Sequence, residues 1–162
     1  MASFELLAII LTGLGLTTSI TYYSMVLRNQ NKTRQAQLFM QVHSQWKDRA
    51  FIKGFYDMLN NWEWEDTEDF WNKYGQTANE EAFITAVEVC FHFEGVGQLL
   101  RAGLINIDLV DSIYSSRVID CWEKFYPILE YLREQAFGRP NPDYYKNFEY
   151  LYTTLKKRRE KL

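Results

Sequence analysis

The chain has 162 residues, 47% of them hydrophobic and 24% charged, with a formal net charge of −3 and a mean hydropathy of −0.34. That length gives about one domain, and the apolar fraction excludes a disordered chain. The mean hydropathy excludes a polytopic membrane protein but leaves room for one span. The acidic balance, with a pI near 5.5, argues against a dedicated nucleic-acid binder. Two cysteines cannot build a disulfide framework. The unusual quantity is the aromatic share, 17%.

Leu6 to Leu27 carry no charged side chain. As a helix, this stretch is about 33 Å long, enough to cross a hydrocarbon core. Its second half is weaker, with Thr17, Thr18, Ser19 and Thr21, but hydroxyls that bond back to their own helix are tolerated in a span. Tyr22 and Tyr23 stand where an interfacial aromatic belt belongs. A cleaved signal peptide and a buried core helix are the competing readings. The first lacks a basic n-region and an Ala-x-Ala site. A single-pass anchor over residues 1–27, with the span at about 6–27, is favoured. Arg28, Lys32 and Arg34 follow the span and only Glu5 precedes it, so the positive-inside rule predicts a cell-membrane protein whose body, 28–162, is cytoplasmic. These three cations are candidate lipid contacts. Gly15 and Ser19, four apart, offer a small-residue face for self-association or a partner helix.

The body reads as all-α, because no run shows sustained strand alternation. A first helix is predicted to run on from the span, from about Gln30 to Leu59, with Asn29-Gln30-Asn31 the place for a break if there is one. Its apolar stripe is Leu38, Val42, Trp46, Phe51, Phe55 and Met58. A loop then leads to a short helix, Thr67 to Tyr74, ended by Gly75. Thr77 and Glu80 suggest a capping box for a helix from Ala78 to Ala102, with Gly103 just past its end. Gly95 and Gly97 inside it predict close approach of a neighbouring backbone. A short helix, Asp108 to Tyr114, and a longer one from Arg117 to Ala136 capped by Ser116 follow, the latter kinked by Pro127 near Trp122 to Lys124. Asn141 and Pro142 are expected to open the last helix, with Phe148, Leu151, Tyr152 and Leu155 facing the core. Charge is segregated: residues 1–61 carry +3, 62–100 carry −8 and 101–162 carry +2.

Chemistry-bearing groups are sparse. His43 and His92 lack the Glu-x-x-His context of a di-iron bundle, and Cys90-Phe91-His92 lacks a second ligand pair for zinc. No metal and no cofactor are expected. Cys90 and Cys121 read as buried structural thiols. Trp62, Trp64, Phe70, Trp71 and Tyr74, interleaved with five carboxylates, could bind a basic segment or a cation. The competing and favoured reading is that these aromatics cap a small core while the acids face water. Glu94, flanked by Phe93 and Gly95, needs a cation or donors, and Arg101 two turns later is the expected salt-bridge partner.

The order of these motifs resembles a known family. After the span come Phe93-Glu94-Gly95-Val96-Gly97, Gly103-Leu104-Ile105, Asp108-Leu109-Val110, Trp122-Glu123-Lys124-Phe125 with Pro127, and Asn147-Phe148-Glu149-Tyr150-Leu151. This series, over roughly residues 4–155, is similar to a family of short, membrane-anchored helical proteins catalogued as a domain of unknown function. The resemblance implies an anchored all-α protein and brings no activity, cofactor or site residue. The expectation is a non-enzymatic interaction or scaffold subunit at the cytoplasmic membrane face. The alternative is a small-ligand or signal sensor with a pocket near Glu94, Arg101 and Trp122.

Overall fold

A computed structural model describes residues 2–135 and 138–161, and the described chain is all-α. It comprises α1 (Ala2–His43), a 3-10 turn (Ser44–Lys47), α2 (Arg49–Asn60), α3 (Thr67–Tyr74), α4 (Glu80–Arg101), α5 (Ile107–Gln135) and α6 (Lys146–Arg159). The chain divides into two compact units, one up to Gln37 and one from Leu38 to Leu162.

The first unit is helix throughout its described length. It runs on unbroken through Asn29-Gln30-Asn31, as a helix continuing from the apolar segment would. The break comes later, at Ser44–Lys47, so the expected helix from Gln30 to Leu59 is two. Asp48 is the cause. It adopts an extended backbone (φ −76°, ψ 122°), and its carboxylate accepts from the Ala50 and Phe51 amides at 2.6 and 3.1 Å. An N-cap of this kind satisfies amides that a continuous helix would have bonded to preceding carbonyls.

Within the second unit, α6 packs chiefly on α4 and then on α5. The α4 pairings Phe91–Tyr145, Phe93–Phe148 and Arg101–Tyr150 rise together, so α4 and α6 run in the same direction. Those on α5 run oppositely, from Arg133–Glu149 through Trp122–Tyr152 to Asp111–Arg158. Phe55, Phe93, Val118, Phe125, Phe148 and Leu151 are among the fully enclosed side chains. Burying a large apolar side chain contributes about 1.5–3 kcal/mol, so this shared core holds the helices together.

Local boundaries correct several expectations. The α3 bounds agree with the sequence reading. The cap of α4 is Asn79, whose side chain accepts from the Ala82 amide at 3.1 Å, so Thr77 and Glu80 do not form the box. The end of α4 follows expectation: Gly103 has φ +69°, and the Leu104 and Gly103 amides donate to the Leu99 and Leu100 carbonyls. That pairing closes a helix through a left-handed residue best supplied by glycine. The two helices expected at Asp108–Tyr114 and from Arg117 are a single α5. Its Ser116 lies on the exposed surface mid-helix, and Asn106 accepts from the Asp108 amide at its start. The expected terminus at Ala136 lies outside the described residues. Asn141 does not open α6 either: its side chain accepts from the Asp143 amide within a turn, and α6 begins at Lys146 after Tyr145 in the left-handed region (φ 55°). Burial of the Tyr145 ring holds a conformation that costs a non-glycine residue on the order of 1 kcal/mol.

Candidate functional site

Glu94 is the most heavily engaged acid in the second unit. Its Oε2 accepts from the Asn147 and Phe148 amides at 3.0 and 2.7 Å, and its Oε1 from the Asn147 side-chain amide at 2.8 Å. Tyr145, at the N-cap position of α6, offers no side-chain cap. The carboxylate of α4 therefore serves as the missing cap, satisfying two orphan amides and meeting the positive end of the helix dipole. Gly97, one turn on, allows the approach, since a Cβ there would overlap the Asn147 carbonyl. Gly95 has nothing within 4 Å of a Cβ, so only one of the two glycines marks the expected contact.

The expected Glu94–Arg101 salt bridge is absent. Arg101 instead lies over the Tyr150 ring, 5.8 Å from its centroid. None of the clefts seen among the described residues is lined by Glu94, Arg101 or Trp122. Trp122 is buried, and the space between it and Phe93 is filled by Phe148, at ring distances of 5.0 and 5.2 Å.

The acidic aromatic segment covers one end of the bundle. Trp62 stacks on Tyr74 at 4.3 Å, Trp64 meets Phe70 at 5.1 Å and Phe125 at 5.2 Å, and Trp71 faces Phe83 and Tyr131. All three tryptophans are half-buried, while Glu63, Glu65, Asp66 and Glu68 are exposed. The arrangement matches the packing role. Sequence reasoning missed Lys124, whose ammonium lies 5.2 Å from the Trp64 ring and donates to the Leu59 and Trp62 carbonyls, both at 2.7 Å. It satisfies carbonyls at the end of α2, and partial burial lowers its pKa. Only its place three residues after Cys121 in an apolar pattern signalled an inward-facing amine.

The two histidines meet through Tyr114, which sequence reasoning did not single out. His43 Nδ1 lies 2.9 Å from the Tyr114 hydroxyl, and the His92 ring packs on the same tyrosine. Trp46 Nε1–H donates to His92 Nε2 at 3.0 Å, which leaves the proton on Nδ1 to donate to Gln45 Oε1 at 2.7 Å. Both His92 nitrogens are thereby occupied, and burial lowers its pKa to about 4. Burial, then Lys47 and Arg117, lower that of His43. Cys90 and Cys121 are free and buried. Burial pushes the Cys90 thiol up to about 12 and that of Cys121 well above its ordinary value, the opposite of an activated nucleophile.

In the first unit the apolar side chains from Phe4 to Leu27, apart from the half-buried Val26, are exposed, as are Arg28, Lys32 and Arg34. The hydroxyls of Thr12, Thr17, Thr18, Ser19 and Thr21 donate to carbonyls of their own helix at 2.8–3.0 Å. Gly13 and Gly15 leave open space beside the backbone. Among the described residues two helices, α1 and α4, are long and apolar enough to cross a membrane, and α4 is partly buried in the bundle.

The fold and these contacts define an all-α protein with a long apolar leading helix. Residues 3–155 match the model of the domain of unknown function DUF4760, and the chain belongs to that family. No curated protein and no solved structure matches it.

Proposed function

We propose that the protein is a single-pass, membrane-tethered interaction or scaffold subunit, with residues 6–27 crossing the bilayer and the helical bundle on the cytoplasmic face. The observation that carries this is the first unit's uncovered apolar surface. A stretch of 22 residues without a charge presents Leu, Ile and Met side chains to the surroundings. Its hydroxyls are turned back onto their own carbonyls, as a hydrocarbon environment requires. Water offers no comparable partner for so large an apolar face. Arg28, Lys32 and Arg34 favour the cytoplasmic orientation and an anionic leaflet, at about 1 kcal/mol per cation. The open face at Gly15 and Ser19 suits a second helix in the membrane plane. Within the bundle, Glu94, His92, Lys124 and both thiols are absorbed by structure, which supports a binding rather than a catalytic role.

The test is fractionation of the expressed full chain followed by an alkaline carbonate wash. The protein is expected in the washed membrane pellet. Its quantitative release into the wash would defeat the tether.

A further inference from the structure

The α4 helix has more apolar surface than the bundle uses. Its buried residues run from Val89 to Leu100, towards its C-terminal end. The surplus lies along one stripe. Ile84 and Phe91 are 47% and 55% exposed, and Val87 between them is half-buried. Positions 84, 87 and 91 are spaced i, i+3, i+7 and share a face. Across from them α2 presents Ala50 and Phe51. Two clefts of about 640 and 530 Å³ run along this seam and share Ala50, Phe51 and Glu88. The helices cannot close over them, because α2 and α4 already touch below: a Cβ on Gly54 would stand 2.7 Å from Thr85 Cγ2.

The rim is strongly anionic. Asp48, Asp57, Glu80, Glu81 and Glu88 line the two clefts, against the single cation Lys53 among the described lining residues. Asp48 is committed to capping α2, and Asp57 accepts from the Asn61 side chain. Glu80, Glu81 and Glu88 are exposed and take part in none of the ion pairs seen among the described residues. An apolar floor of two helical turns with exposed α4 carboxylates beside it is the complement of an amphipathic helix with apolar residues at i, i+3 and i+7 and cations next to them.

We infer that the α2–α4 groove docks a basic amphipathic helix of a partner protein. This deepens the interaction reading above and rests on it, but not on the membrane tether. The apolar stripe supplies affinity through burial of Ile84, Val87 and Phe91. The carboxylates supply orientation and select against acidic helices.

The experiment uses the full chain in nanodiscs of zwitterionic lipid, with anisotropy corrected for empty discs. The probe is a fluorescent helical peptide of about 14 residues, with Leu at i, i+3 and i+7 and Lys on the flanks. Its comparison has the same composition, scrambled so that the leucines share no face. The ordered peptide should bind at least about tenfold more tightly than the scrambled one, and rising salt should weaken it. Glu81→Lys with Glu88→Lys should weaken it at least about tenfold, and Ile84→Ser by several-fold. Glu134→Lys with Glu160→Lys makes the same change in net charge on exposed residues outside the groove and should leave binding unchanged. If the double groove variant melts early, Ile84→Ser and Phe91→Ser decide in its place. Equal binding of the scrambled peptide, or equal loss in the control variant, would reduce the effect to bulk charge and overturn the inference. So would a chain dimer that the groove variant dissociates, since a second copy would then be the occupant. Failure of peptide binding by a protein that still withstands the carbonate wash would overturn the groove and leave the tether standing.

Discussion

At the scale of single residues, Glu94 does the work of a side chain that α6 lacks. The helix begins after a left-handed Tyr145 with no cap of its own, and the Asn147 and Phe148 amides depend on a carboxylate from another helix. Glu94→Ala leaves both donors without an acceptor and should cost about 2–3 kcal/mol in thermal unfolding followed by circular dichroism. Glu94→Gln keeps one acceptor oxygen and should lose less. Equal midpoints for Ala and wild type would remove the cap from the account. His92 gives a second prediction, one of pH. Its folded pKa is lowered by burial from 6.5 to about 4. Above 6.5 the ring is neutral in both states and its contribution is complete. As pH falls from 6.5 towards 4 the unfolded chain binds a proton that the folded one refuses. Stability should drop across that window, by on the order of 3 kcal/mol. The His92→Gln variant should therefore lose less stability than wild type between about pH 7 and about pH 5. Parallel losses in the two proteins would show that other groups carry the acid sensitivity.

At the scale of elements, boundaries are set by short polar side chains. Asp48, Asn79 and Asn106 each accept from an amide two or three residues on, and each opens a helix that a periodicity reading merges, misplaces or splits. Such caps are legible in principle, but Thr77 with Glu80 and Ser116 offered competing signals of equal local merit. Only the packing of the apolar face selects among them. The glycine pair of α4 separates the two cases sharply. Gly97 faces the Asn147 backbone and Gly95 faces open space. Gly97→Ala should force α6 away and cost about 2–3 kcal/mol. Gly95→Ala should stabilise by about 0.5–1 kcal/mol, the helix-propensity difference. Denaturant midpoints check both signs, and destabilisation of similar size by both would mean that α6 does not approach where described.

At the scale of the whole molecule, two units of different character share one chain. Among the described residues, the unit to Gln37 has no enclosed side chain, whereas that from Leu38 carries a core from Phe39 to Leu155. Deleting residues 1–27 should therefore release the protein from the membrane pellet while keeping a cooperative unfolding transition. A deletion variant that remains in the pellet, or that loses the transition, would contradict the division. The all-α class and the apolar leading helix were legible in the sequence because each rests on local composition: few breakers, helical periodicity and a charge-free run. The α3 bounds, the Gly103 terminus and the tryptophan cap were legible for the same reason. The partner of Glu94, the meeting of two histidines at Tyr114 and the open α2–α4 groove were not. Each joins residues about thirty or more positions apart, and the sequence-local expectation, Arg101 for Glu94, lost to orphan amides with no nearer acceptor. Local chemistry determined which segments are helical and which one carries a charge-free apolar run. Tertiary packing decided which polar groups are satisfied and which apolar face is left over, because that accounting closes only when distant helices touch.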